Sequence, residues 1–170
     1  MYFNHRILIF LLCSGIWIID SCDKETAEGT DKFLYDLSVD NFGHQWFGFS
    51  DQLLNKSSGS GHNQNFLRTR YNTVAAAQLD STGRVKAGIS FPNGSLIVKE
   101  LVNSPGTVFR YAIMYKDSTH VDSDSNGWVW GYINGDGTVA EPASSKGSIC
   151  TGCHAQSGHI DQTLMNKFFP

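Results

Sequence analysis

The sequence lacks clustered positive charge, long apolar runs and internal repeats. Thirteen Lys and Arg stand against 16 Asp and Glu, a formal charge of -3, and nowhere do the cations gather. A phosphate backbone is gripped by clustered Lys and Arg, so nucleic acid is not an expected partner. Cysteine is scarce, four in 170 residues, so each one can be accounted for singly. At this length one domain with a real core fits and two do not. With 41% hydrophobic and 17% charged residues, wholesale disorder is excluded as well.

The longest apolar or small stretch runs from Ile7 to Ile19, preceded by His5 and Arg6 and ended by Asp20. It is too short to span a bilayer and has the length of a signal-peptide core. Cys22, after Ile19 and Ser21, sits near a bacterial lipobox, although Asp20 fits that motif's middle position poorly. The expectation is therefore a signal over residues 1–21, a lipid-anchored Cys22 and a polar tether over 22–30. A plain secreted protein and an uncleaved anchor are the alternatives. Removing 1–21 deletes Arg6 and Asp20 together, so the charge is unchanged.

The domain then covers 31–170. Asp31 to Leu54 is weakly helical, with Phe33, Leu34, Leu37, Trp46, Phe47, Leu53 and Leu54 as anchors, and residues 57–61 (SSGSG) form a loop. Arg84 to Phe91, the turn Pro92-Asn93-Gly94 and Ser95 to Val102 predict a hairpin. Phe109 to Tyr115 and Trp128 to Ile133 predict further strands, the latter with Trp128, Trp130 and Tyr132 on one face. Short connections favour antiparallel pairing. Past Pro142 the residues from Ser148 suit one or two helical segments. The fold class expected is α+β, mainly antiparallel sheet with flanking helices.

Cys13 belongs to the signal and Cys22 to the anchor, leaving Cys150 and Cys153 in the domain. With Thr151, Gly152 and His154 they match Cys-x-x-Cys-His, the attachment pattern of c-type haem. Two thiols at that spacing reach two vinyl groups on one porphyrin edge, and the following imidazole turns to the iron. One covalent haem is the cofactor expected, with His154 as axial ligand; a 12% aromatic content suits a flat group. A disulfide is the alternative, or a zinc site with His159 as further ligand. The motif lies at the end of the chain, whereas in small electron-transfer cytochromes it opens it and a distant Met supplies the sixth ligand. Met165 shares the segment of His154 and could hardly cross to the opposite face. His44, His62 and His120 are candidate sixth ligands. Arg68 and Arg70 share a strand face and could pair with haem propionates. Phe109, Tyr111 and Ile113 could wall the distal side, or simply pack.

The run Phe91-Pro92-Asn93-Gly94-Ser95-Leu96-Ile97-Val98-Lys99-Glu100-Leu101 resembles a signature of the cytochrome P-460 family. Tyr115-Lys116-Asp117, Gly127-Trp128 and the ending Lys167-Phe168-Phe169-Pro170 resemble it too, over roughly residues 65–170. The resemblance implies a homodimer and a five-coordinate haem that meets small nitrogen ligands. Some members oxidise hydroxylamine, the electrons leaving through the haem to a redox partner. The cytochrome c-prime-beta relatives bind nitric oxide and carbon monoxide without turnover. Lys99 matches a lysine that bonds to the porphyrin ring, and it shares a strand face with Ile97 and Leu101, where desolvation favours the neutral amine. One position departs. Ala112 stands where the hydroxylamine-oxidising members carry a distal carboxylate, and Glu100, Asp117 and Glu141 have no special claim to replace it. At the other end of the chain, Cys22→Ser is expected to turn a membrane-associated protein into a soluble or unprocessed one. Detergent partitioning of the two forms checks this, and equal partitioning would contradict lipidation.

Overall fold

The computed structural model describes residues 24–104 and 106–168; Cys13, Cys22 and the signal lie outside them. Seven strands form one antiparallel sheet: β1 (Gln45–Trp46), β2 (Leu54–Asn55), β3 (Phe66–Tyr71), β4 (Leu96–Ser104), β5 (Thr107–Lys116), β6 (Trp128–Asn134) and β7 (Val139–Glu141). Their order is β1-β3-β4-β5-β6-β7, with β2 also on β3. Helices are few: α1 (Gly29–Val39), α2 (Thr73–Ala76), α3 (Thr151–His154) and α4 (Met165–Phe168). The expected α+β class, mainly antiparallel, is what is found. Among the described residues no helix is long and apolar enough to cross a membrane.

Successive side chains of a strand point to opposite faces, and β4 is buried on both. Ile97 and Leu101 join Tyr71, Met114, Trp128 and Trp130 in one core. Leu96 and Val98 join Leu34, Ile113, Val129 and Ile133 in the other. On that second face lies α1, which buries Leu34 and Ser38, one helical turn apart. Burying Leu34 contributes roughly 1.5–3 kcal/mol. Gly131 sets how closely α1 approaches, since a Cβ there would meet Leu34 Cδ1 at 2.9 Å. The first face is covered by residues 73–94 and by the C-terminal segment with α3 and α4.

Three expectations change. The helical reading of Asp31 to Leu54 holds only to Val39. Its last turn leaves carbonyls without intrahelical donors, and the buried Arg70 guanidinium donates to Ser38 O and, at 2.7 Å, to Asp40 O. Arg84 to Phe91 is no strand. Val85 and Phe91 are plugs, each 2% exposed; Asp80 N–H donates to Arg84 O and Lys86 N–H to Gln78 O, while Val85 N–H donates to Asn166 Oδ1 and Phe91 N–H to the Asp161 carboxylate. The hairpin partner of β4 is β5 instead, with Lys99 opposite Ala112. Finally, part of the expected tether is paired: Ala27 N–H donates to Gly137 O at 3.0 Å, and Val139 N–H to Glu25 O at 2.8 Å.

Arg68 and Arg70 do share a face, the one away from Lys99. Arg68 Nε lies 2.6 Å and Arg70 Nε 3.3 Å from the buried Glu100 carboxylate, and Trp46 stacks against both guanidiniums. Arg70 also meets His44 Nδ1. Burial, and then the Arg70 charge, lowers the His44 pKa. These arginines hold α1 and β1 to the sheet. Arg70→Met is expected to destabilise the protein by about 3 kcal/mol or more, since it strips a buried ion pair. Arg68→Met, at a more open position, should lose about 1 kcal/mol. Urea unfolding checks both. Equal losses would contradict this division of roles.

Candidate functional site: a cavity between the sheet and the C-terminal segment

A cavity of about 300 Å³ lies on the first face of the sheet, at the lower end of the range for small-molecule sites. Its floor is one cross-strand row. Thr69 stands opposite Lys99, Lys99 opposite Ala112, and Ala112 opposite Tyr132. Two residues along the strands, about 7 Å away, the next row runs Tyr71, Ile97, Met114, Trp130. On the other side it runs Leu67, Leu101, Arg110, Asn134. The opposite wall is the C-terminal segment, with Cys150, Cys153 and His154 lining the cavity. Loop residues 59–63 form a third side. A Cβ on Gly61 would lie 3.8 Å from Cys153 Sγ.

The His154 ring is oriented twice. It packs at right angles to Trp130, with ring centroids 5.0 Å apart and an interplanar angle of 79°, and Nδ1 lies 2.7 Å from Gln162 O. A carbonyl oxygen only accepts, so Nδ1 carries the proton and Nε2 keeps its lone pair. This is how metal-ligating imidazoles are commonly fixed. Burial lowers the His154 pKa to about 4, so the ring is neutral at pH 7.

The carbonyl that holds it is itself held. Asp161 and Gln162 both have left-handed backbone, φ 44 and 64, a conformation that is strained without glycine. The Asp161 carboxylate offsets this strain. It accepts from Phe91 N–H at 2.7 Å and Lys116 Nζ at 3.0 Å, and from Trp128 Nε1 at 3.3 Å. The Asp124 carboxylate accepts from Trp130 Nε1 at 2.9 Å and Gln162 Nε2 at 3.4 Å. Both contacts of His154 thus run back to Asp124.

Besides His154, three basic side chains line the cavity, Lys99, Arg110 and His62. Lys99 lines it, and burial lowers its amine to about 8. His62 Nδ1 is 3.3 Å from Tyr132 Oη. Desolvation first, and then the Lys99 charge, pushes the His62 pKa down to about 3. Cys150 and Cys153 are free thiols, and burial raises Cys150 to about 11. Met165 also lines the cavity, its Sδ accepting from Thr69 Oγ1 at 3.4 Å. No Asp or Glu is among the lining residues.

Of the residues singled out in the sequence, Cys150, Cys153, His154, Lys99, Ala112 and His62 come together here. Arg68 and Arg70 do not, and neither do His44 and His120. His44 meets Arg70, while His120 Nδ1 accepts from Asp122 N–H. His159 Nδ1 accepts from Gln162 N–H, and no group of three or more His, Cys, Asp and Glu suited to a metal occurs among the described residues. Tyr111 and Ile113 pack in the α1 core, and Phe109 is exposed. The side chains of β5 on the cavity face are Arg110, Ala112 and Met114. Glu100 faces the arginines, Asp117 bonds Thr119, and Glu141 is outside the lining. Arg110, Gln162 and Asp161 were missed. Arg110 has the strand parity of Ala112, a signal that was available; the αL turn at Asp161 and Gln162 left none.

A family model described as Cytochrome P460 matches residues 44–164. The chain belongs to the cytochrome P460 family. The match begins at His44, upstream of the motifs that first suggested it. No curated protein matches the chain. Haem is the cofactor this family implies, and the residues fit it: two free thiols, an imidazole with its Nε2 lone pair uncommitted and an aromatic, largely apolar lining meet at one cavity.

Proposed function

We propose that this cytochrome P460 protein is exported and holds one c-type haem through Cys150 and Cys153. His154 is the axial ligand, and the five-coordinate iron serves small nitrogen ligands, hydroxylamine or nitric oxide. The observation that carries the reading is the convergence of both thiols, the His154 ring and Lys99 on one cavity. Each thiol adds across a vinyl group, its hydrogen passing to the neighbouring carbon, so no electron is gained or lost. Bound there, the haem supplies an iron that takes a small ligand and exchanges electrons with a redox partner.

The chain's own residues do the rest. Gln162 O holds the His154 proton on Nδ1 and leaves Nε2 for the metal. Lys99, desolvated toward its neutral form, is the nucleophile for a bond to the porphyrin edge. Such a bond would replace one N–H and one C–H by C–N and would release two protons and two electrons, so its formation would require a two-electron oxidant.

Turnover of hydroxylamine also needs a proton acceptor beside the ligand. Ala112 cannot serve, and His62, with its pKa pushed down to about 3 by burial, binds a proton too weakly at neutral pH to replace a carboxylate. A second reading, capture of nitric oxide or carbon monoxide without turnover, is favoured by the absence of acids from the lining. Export and lipidation at Cys22 rest on the N-terminal sequence, and the homodimer on the family.

The double variant Cys150→Ala, Cys153→Ala is expected to lose all covalent haem. Haem staining on a denaturing gel checks this, and a retained band would overturn the reading. Lys99→Leu should fold and keep its thioethers. Wild-type digests should join the Lys99 peptide to the Cys150–His154 peptide, lighter by two hydrogens, with absorption to the red of ordinary haem c. The variant should give separate peptides and an ordinary spectrum. A wild type that already does so makes Lys99 a packing residue and supports the ligand-binding reading.

A further inference from the structure

We infer that Arg110 is the anion-binding side chain of this cavity, its guanidinium built to take a planar oxyanion in two parallel hydrogen bonds. The inference builds on the haem reading, which supplies one source of that group, a haem propionate; a free oxyanion such as nitrite is the other.

The contrast with the other arginines of the sheet is the starting point. Arg68 and Arg70 share the carboxylate of Glu100 and, facing away from the cavity, are taken up by the fold. Arg110 stands in the row next to Lys99 and Ala112, on the cavity face, and lines the cavity. Among the described residues no carboxylate lies within ion-pair distance of it, although five such pairs form elsewhere. Its one hydrogen bond runs from Nε to Asn134 Oδ1 at 2.8 Å.

That bond and two nearby rings hold the guanidinium. The Arg110 Cζ lies 4.5 Å from the Tyr132 ring centroid and 5.2 Å from that of Phe109. Nε is spent on Asn134, and the terminal nitrogens remain as a fork. A planar fork in a place without acids matches a carboxylate or nitrite, and a lysine could not reproduce the paired geometry. None of the described lining residues is a carboxylate that would oppose an anion there.

The test uses the haem-loaded protein, with wild type, Arg110→Lys and Arg110→Leu compared. Arg110 is partly buried, and far-UV circular dichroism shows whether each variant folds; Arg110→Lys keeps the charge should the leucine variant fail. Resonance Raman reports the propionate bending band, and a nitrite titration is followed in the Soret region. A band that shifts in Arg110→Leu and partly in Arg110→Lys, with nitrite affinity unchanged, assigns Arg110 to a propionate. An unmoved band with nitrite weakened by about tenfold or more assigns it to a free oxyanion. If neither moves, the inference is overturned. A wild type without stained haem counts against the haem reading alone; calorimetry of nitrite with that protein and its Arg110→Leu variant then decides for or against Arg110.

Discussion

Strand β4 runs through the middle of a sheet buried on both faces and carries two adjacent charged residues, Lys99 and Glu100. Neighbours on a strand cannot share a face, so one charge must be accommodated in each layer. A buried charge is tolerated when it is paired and hydrogen-bonded. Glu100 meets this demand through Arg68 and Arg70, and that cluster in turn fixes the end of α1 and the position of β1. Lys99 meets it differently, at the floor of a cavity. The layer under α1 is therefore packed shut, while the other remains open enough to hold a cofactor.

What the sequence made legible follows from this alternation. Period two placed Lys99 with Ile97 and Leu101, and Trp128 with Trp130 and Tyr132, and both groupings hold. The spacing of Cys150, Cys153 and His154 needed no tertiary information. Ala112 was reached by counting along a family pattern, and it stands in register with Lys99.

Periodicity sorts a strand into two faces without saying which face looks inward. Arg68 with Arg70, and Tyr111 with Ile113, were grouped correctly, but for this reason the choice between cavity and core stayed open for each pair; the structure turns the arginines to Glu100 and packs Tyr111 and Ile113 in the α1 core, with Ile113 also reaching the cavity lining. Register across strands decides the side, and it depends on pairings such as Arg68 with Glu100 that no local pattern reveals. The hairpin drawn through Pro92-Asn93-Gly94 failed for a related cause. Val85 and Phe91 look like strand residues, yet each fills its own hole in the core while their backbones bond side chains of the C-terminal segment, Val85 with Asn166 and Phe91 with Asp161. The αL turn at Asp161 and Gln162 is held by Phe91, Lys116 and Trp128, partners 33 to 70 residues distant.

That turn has a kinetic meaning. Strands β4 to β7 pair with their neighbours in sequence, so the sheet can zip through short loops. The wall bearing the cysteines closes loops of 70 residues to Phe91, 81 to Val85 and 96 to Thr69. Loop closure grows costlier with length, and contacts distant in sequence form late. Contacts of the C-terminal wall are thus late ones, as are those of α1, which close loops of 100 residues to Gly135 and 112 to Ala143, and the wall can lift without breaking the sheet's hydrogen-bond ladder. Because Cys150, Cys153 and His154 sit on this wall, a bulky planar group can be laid against the sheet before the chain shuts over it.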